Sequence, residues 1–190
     1  ADREAVEKAA KAYPDARTCA DMRKVLDDKT VDATVISTCN HWHALAGIWS
    51  CQAGKDVYVE KPIAHNVWEG RKLVEAARKY RRIVQGGTQQ RSDPLQAELK
   101  AFLKSGAIGK IKHVRCNRYG KRESIGKRTS PLPPPETLNY DLWLGPAPEA
   151  PYCPARVHKN WRWIMAYGGG TIMDWVGHHL DIAHWAMGLD

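Results

Sequence analysis

Asp174, His178 and Asp181 stand at i, i+4 and i+7 in an apolar, helix-length run that follows Gly168-Gly169-Gly170 and ends at Gly188. On a helix these spacings bring a carboxylate beside an imidazole on one face. Such a pair holds a hydroxyl and takes its proton at neutral pH, because imidazole titrates near the working pH. The same residues have plainer readings. Thr171-x-x-Asp174 is itself a capping box, which alone explains a carboxylate at that position. His178 would then be a packed histidine with its hydrogen bonds satisfied.

The elements that must position this pair come from the rest of the chain. Its 190 residues suffice for one full domain or parts of two, and 43% hydrophobic with 26% charged content describes an ordinary globular protein. No run has the length of a bilayer span and no signal peptide opens the chain, so no membrane role is expected. The formal net charge is +8, but the basic residues are spread, and only residues 110–128 are locally dense. That stretch reads as a solvated face, and no nucleic-acid partner is expected. Five cysteines, odd in number and without C-x-x-C spacing, exclude a zinc ribbon and a disulfide framework and read as reduced packing residues. His41, His43, His178, His179 and His184 do not fall on one helix face and form no H-E-x-x-H, so no catalytic metal is expected.

Taken in order, residues 2–12 read as an amphipathic helix and residues 21–27 as a short one. Residues 31–38 are a compact β-branched run of the kind that forms a buried parallel strand. A polar turn over residues 38–43 leads into a helix that closes near Gly54. Residues 57–60 form the next strand, followed by Lys61-Pro62. Asn66 with Glu69 starts a capped helix running to about Tyr80, and residues 82–89 make a third strand. Strand and helix alternate with short connections, the signature of a doubly wound parallel α/β sheet, whose ligands bind at the carboxyl ends of the strands. The polar clusters 38–43, 60–62 and 88–91 all fall there. A helix capped by Ser92 runs to Ser105, and residues 110–119 alternate like a half-exposed antiparallel strand. The domain boundary is placed near residue 91, with a partial Rossmann-like unit over 1–91 and part of an α+β unit with a mainly antiparallel sheet over 92–190. Residues 120–156, rich in proline, read as a long irregular excursion.

Three motifs carry a resemblance. Glu60-Lys61-Pro62 after a strand resembles the E-K-P motif of the glucose–fructose oxidoreductase, inositol dehydrogenase and MocA (Gfo/Idh/MocA) family. Residues 38–43 are similar to its T-P-x-x-x-H turn, with Cys39 where proline is usual. Gly168-Gly169-Gly170 followed by Asp174, His178 and Asp181 resembles its G-G-G…D…H-x-x-D segment. The resemblance covers roughly residues 15–190. It implies an NAD(P)-dependent oxidoreductase acting on a sugar, cyclitol or related polyol, with NAD or NADP as cofactor. By matching motifs, Lys61, Asp174 and His178 would be the catalytic group, and Thr38, Asn40, His43, Glu60 and Gln89 would lie along the cofactor. Arg91, Trp161 and Arg162 are candidates for substrate contacts, although tryptophan packing in a core is as good a reading of Trp161 and Trp163.

The family's first strand and its G-x-G-x-x-G turn are not among these residues, nor is much of its C-terminal sheet, so the chain reads as incomplete. The full-length protein is expected to be a homo-oligomer, cytoplasmic by default, with an export signal left open. In the chemistry implied, His178 is the general base, Asp174 orients it or binds a neighbouring hydroxyl, and Lys61 donates to the oxygen that becomes an alkoxide. Two alternatives stand beside a dehydrogenase. One is an NAD-dependent glycoside hydrolase working by transient oxidation and elimination; the other is a non-catalytic fragment unable to hold the cofactor alone.

Overall fold

Each of the three predicted strand segments yields one strand, and the helices between them supply the two crossovers that parallel pairing requires. The structure, a computed structural model, describes residues 1–120, 123–126 and 130–189. Helices α1 (Arg3–Ala12) and α2 (Arg23–Asp27) precede strand β1 (Ala33–Ile36), which α3 (Asn40–Gln52) connects to β2 (Asp56–Glu60). Helix α4 (Val67–Tyr80) leads to β3 (Val84–Gly87). Helices α5 (Pro94–Lys104), α6 (Tyr140–Leu144) and α7 (Gly177–Met187) follow. The sheet is parallel in the order β1-β2-β3, with Ile36 opposite Val59 and Glu60 opposite Gly87.

Helices α3 and α4 pack on the same face of this sheet. Ile36, Val57 and Val59 meet Ala46, Cys51, Leu73 and Ala76 in one buried cluster, and burying each such aliphatic side chain stabilises the fold by about 1.5–3 kcal/mol. The expected parallel sheet of alternating strands and helices is present, with one difference. Among the described residues helices cover one face only, so Val35 stays 75% exposed while its neighbour Ile36 is buried. The strand therefore alternates instead of burying both sides.

Local chemistry sets the boundaries. Asn66 caps α4 by accepting from the Glu69 N–H at 2.9 Å, and Glu69 returns to the Asn66 amide at 2.7 Å. Helix α5 is capped by Asp93, which accepts from the Leu95 N–H, with Pro94 in the first turn. Ser92 was the expected cap, but the chain is still in a 3₁₀ turn there (Gln89–Ser92), and proline favours the first helical position directly after a cap. The turn expected over residues 38–43 is shorter, because Asn40 to His43 already form the first turn of α3.

Gly87 is required by a close approach. A Cβ there would lie 2.9 Å from the Cα of Glu60 and 3.0 Å from its Oε2, so glycine is what lets the Glu60 side chain fold over the end of β3. Gly87→Ala is expected to destabilise the protein by about 1–3 kcal/mol through overpacking. It should be read as a lower thermal midpoint, and an unchanged midpoint would refute the close-packing account.

The second half has its own core, built from Leu138, Trp143, Leu144, Tyr152, Val157, Trp161 and Tyr167. The proline-rich excursion thus contains a short helix, α6, capped by Asn139. Residues 110–119 form no strand, in contrast to the alternation of their sequence. A strand needs a neighbour to complete its ladder, and no other described segment pairs with them. Lys110, Lys112, Arg115 and Arg118 are exposed as expected for a solvated face, whereas Lys121, Arg122, Lys127 and Arg128 lie outside the described residues. No helix among the described residues is long and apolar enough to cross a membrane.

Candidate active site

The carboxyl ends of the three strands deliver most of the polar residues singled out in the sequence. Thr38 lies beyond β1, Glu60 and Lys61 at the end of β2, and Gln89 beyond β3, with Thr38 and Gln89 exposed and Glu60 half-buried. The Lys61–Pro62 peptide is cis. The Lys61 ammonium reaches across to the closing helix, where it donates to the backbone carbonyl of Asp174 and lies 3.6 Å from Asp174 Oδ1. Their side chains are 19% and 22% exposed, so this pair is shielded but not dry. Arg162 Nε stands 3.6 Å from the same Asp174 oxygen, so two cations share one carboxylate.

The backbone around Asp174 is not a regular α-helix. Residues Ile172–Val176 form a π-helical turn that runs directly into α7. Its i→i+5 bonding widens the turn and shifts carbonyls out of α-helical register, and the Asp174 carbonyl is the one that takes the Lys61 hydrogen bond. Thr171 makes no side-chain cap bond. The capping-box explanation of Asp174 therefore fails, and its carboxylate faces Lys61 and Arg162 instead. Gly168 sets the entry to this segment, since a Cβ there would meet the Arg162 carbonyl oxygen at 2.9 Å and its Cα at 3.0 Å.

His178 follows on the first turn of α7, within electrostatic reach of Lys61, Asp174, Glu60 and His179. Burial lowers its pKa below the ordinary 6.5; the Lys61 ammonium and His179 lower it further, while Glu60 and Asp174 work in the opposite direction. The imidazole is thus neutral at neutral pH. Its Nδ1 is buried and has no hydrogen-bond partner among the described residues, so the satisfied, packed histidine is not what the structure holds. Buried polar atoms are rarely left unpaired. A neutral imidazole has one nitrogen able to accept a proton.

Three predicted residues take other parts. His43 is 1% exposed, and its ring lies between two backbone carbonyls, Pro62 at 2.7 Å from Nδ1 and Thr38 at 3.0 Å from Nε2. Both nitrogens face backbone carbonyls, to only one of which a neutral ring can donate, so His43 is packed between the turn after β1 and the turn after β2. Trp161 is buried in the second core, with the Arg162 guanidinium 4.4 Å from its ring centre. Arg91, expected to touch substrate, forms a two-pronged ion pair with Asp181, each N···O distance 2.8 Å. Asn40 is buried at the start of α3. Cys39 precedes it, and burial pushes its thiol up to about 12, so at this helix start burial outweighs the usual stabilisation of a thiolate.

The two halves meet along one seam. His41 Nε2 and Trp42 Nε1 both reach the Trp143 carbonyl, at 2.9 and 3.2 Å, and the His41 ring packs against Trp143 and Tyr167. Lys61–Asp174 and Arg91–Asp181 also cross this seam, and at the start of the chain the Arg3 N–H donates to the Thr137 carbonyl and the Asn139 N–H to the Ala1 carbonyl, both at 2.8 Å. Sequence reasoning missed the His41–Trp42 fastening; the adjacency of the two side chains at a strand-end turn was its only signal. A cavity of about 680 Å³ opens beside the seam, bounded by Thr38, Cys39 and Trp42 on one side and Trp161 and Arg162 on the other. Lys61, Asp174 and His178 do not line it, and Arg162 links it to Asp174.

Comparison with known proteins bears on this arrangement. Residues 1–88 match the profile of an oxidoreductase family with an NAD-binding Rossmann fold, and residues 96–190 that of the C-terminal alpha/beta domain of an oxidoreductase family. The chain is 34% identical over 150 residues to inositol 2-dehydrogenase 1 of Saccharopolyspora erythraea, covering 77% of this chain and 39% of that protein. It is 30% identical over 115 residues to levoglucosan dehydrogenase of Pseudarthrobacter phenanthrenivorans, covering 60% of this chain and 30% of that one. The chain thus spans well under half the length of these relatives. Among solved structures, the WlbA dehydrogenase of Bordetella pertussis, in complex with NADH and UDP-GlcNAcA, superposes with a TM-score of 0.72 at 23% identity, covering 96% of this chain and 44% of that one. At that identity the likeness speaks for the fold.

Proposed function

The chain belongs to the Gfo/Idh/MocA oxidoreductase family, and from that premise we propose that the protein oxidises a secondary alcohol of a sugar, cyclitol or related polyol with NAD(P). The observation that carries this reading is the convergence of Lys61, from the end of β2, with Asp174 and the unpartnered imidazole of His178. A base, a cation and a carboxylate in one shielded place are what removal of a hydroxyl proton requires.

The strand edge suits a dinucleotide. No side chain caps the start of α3; the Trp42 N–H is taken by the Cys39 carbonyl at 2.9 Å, which leaves the amides of Asn40 and His41 to face an anionic group at the carboxyl end of β1. Thr38, Glu60 and Gln89 add a hydroxyl, a carboxylate and an amide along the same edge. When bound, the nicotinamide supplies the two-electron acceptor for the carbinol carbon. His178 takes the hydroxyl proton. Lys61 donates a hydrogen bond to the same oxygen as negative charge develops on it, and Asp174 holds Lys61 at that height. Arg162, which reaches both Asp174 and the cavity, is placed to bind the substrate's further oxygens. The curated relatives act on inositol and levoglucosan by name, and cyclitols and anhydrosugars are the first substrates to assay.

The test is formation of NADH or NADPH, followed by absorbance, from free polyols. Cleavage of a glycoside without net reduced cofactor would sink the dehydrogenase reading. The pH profile supplies a second check. A base must be neutral to act, so kcat/KM rises with pH along its acid limb. Because burial and Lys61 lower the His178 pKa, the midpoint of that limb is expected below 6.5. A midpoint above 6.5 would mean that a different group is the base.

A further inference from the structure

We infer that Arg91 and Asp181 are positioning residues for the reaction: their ion pair fixes the rotation of α7, and with it the aim of His178, against the end of β3. The inference rests on His178 being the base, but its geometry is independent of that. Arg91 sits in the 3₁₀ turn that follows β3, with its own N–H bonded to the Thr88 carbonyl at 3.0 Å. Its Nε and Nη2 meet the two oxygens of Asp181, both at 2.8 Å. Two parallel bonds between planar groups define an orientation as well as a distance, which a single contact does not. Asp181 stands three residues after His178, one turn along the same side of α7. The pair is the more shielded at its acidic end, with side-chain exposures of 33% for Arg91 and 17% for Asp181.

The next turn of the helix reinforces the arrangement. Trp185 lies with its ring centre 4.0 Å from Lys100 Nζ on α5 and 5.9 Å from the Arg91 guanidinium. Directly upstream of His178 the helix passes through the π-helical turn Ile172–Val176, which does not hold the register of an α-helix. His178 is therefore held between two anchors, Lys61–Asp174 before it and Arg91–Asp181 after it, and both originate at strand ends of the cofactor-binding half. The two-pronged pair commits the Nε and Nη2 edge of Arg91 to Asp181.

The experiment uses the whole protein with Arg91→Ala, Arg91→Lys, Asp181→Asn and the exchange of the two residues. It measures kcat and KM with NAD(P) and a polyol, and the titration of the His178 imidazole by NMR. Each single substitution is expected to lower kcat about ten- to a hundredfold, the effect of a small misplacement of a reacting group, with KM moving much less. Arg91→Lys keeps the charge without the planar fork, so it should lose most of the same activity while folding normally. The His178 titration decides between aim and field. A loosened α7 wets the imidazole, and its pKa moves up in both Arg91→Ala and Asp181→Asn. A mere change of field, added to those of Lys61, Glu60, Asp174 and His179, would move it up on loss of the cation and down on loss of the anion. Shifts of opposite sign, or an unchanged kcat, overturn the inference. Upward shifts in both variants of a protein that oxidises no polyol would leave the positioning intact and remove the functional reading instead.

Discussion

Lys61→Ala is expected to lower kcat/KM about a hundred- to a thousandfold, the usual effect of removing one donor to a developing oxyanion. The fold should survive. Lys61 is held by the Asp174 carbonyl and carboxylate, and Asp174 keeps Arg162 at 3.6 Å when the ammonium is gone. What disappears is, among the described residues, the one cation that leaves a strand end and reaches the π-helical turn. A second consequence follows from electrostatics. The Lys61 ammonium is one of the influences that lower the His178 pKa, second to burial, so its loss lets that pKa rise. The residual activity of the variant should therefore have its acid limb at higher pH than the natural protein. Near-normal turnover, or a limb that stays in place, would refute the role given to Lys61. Arginine is not expected to substitute, because a broad planar guanidinium cannot take the place of a compact ammonium between a carbonyl and a reacting oxygen.

His178→Ala is expected to cost about a hundred- to ten-thousandfold in kcat, the range contributed by a positioned general base. Here the acid limb should vanish and not shift, since the titrating group is gone. That difference separates the two variants by more than the size of their defects. Structural damage should be small, as the buried Nδ1 of His178 has no hydrogen-bond partner among the described residues to lose. Cofactor affinity, measured directly by titration calorimetry, should stay within a few-fold of the natural protein. A variant that keeps its acid limb would show that another group accepts the proton.

Much of this was legible from residues alone, for physical reasons that can be named. The runs that became β1 and β2 are short and β-branched and are followed by helix-length segments, a pattern that favours parallel strands. Lys61 could be placed at a ligand edge because it directly follows β2. Other features depend on contacts that sequence spacing does not encode. Asp174 and His178 have the separation of a regular helix, and nothing in their neighbours announces a π-helical turn. Arg91 and Asp181 lie 90 residues apart, in a chain with many candidate ion pairs. His43 looks like a ligand residue at a strand end, and only its burial between two carbonyls shows it to be packed between two turns. Residues 110–119 have the alternation of a strand, but a strand exists only with a neighbour.

The π-helical turn also constrains how this segment can change in length. A π turn amounts to one extra residue accommodated within an α-helix, so deleting a single residue from Ile172–Val176 would let the segment relax into regular α-helix. Every residue upstream would then rotate by about 100° relative to those downstream, the angular step of one α-helical residue. Gly168 would leave the Arg162 backbone, and the glycine-rich entry would point elsewhere. The length of this segment and the approach to His178 are therefore coupled: one cannot be changed without turning the other.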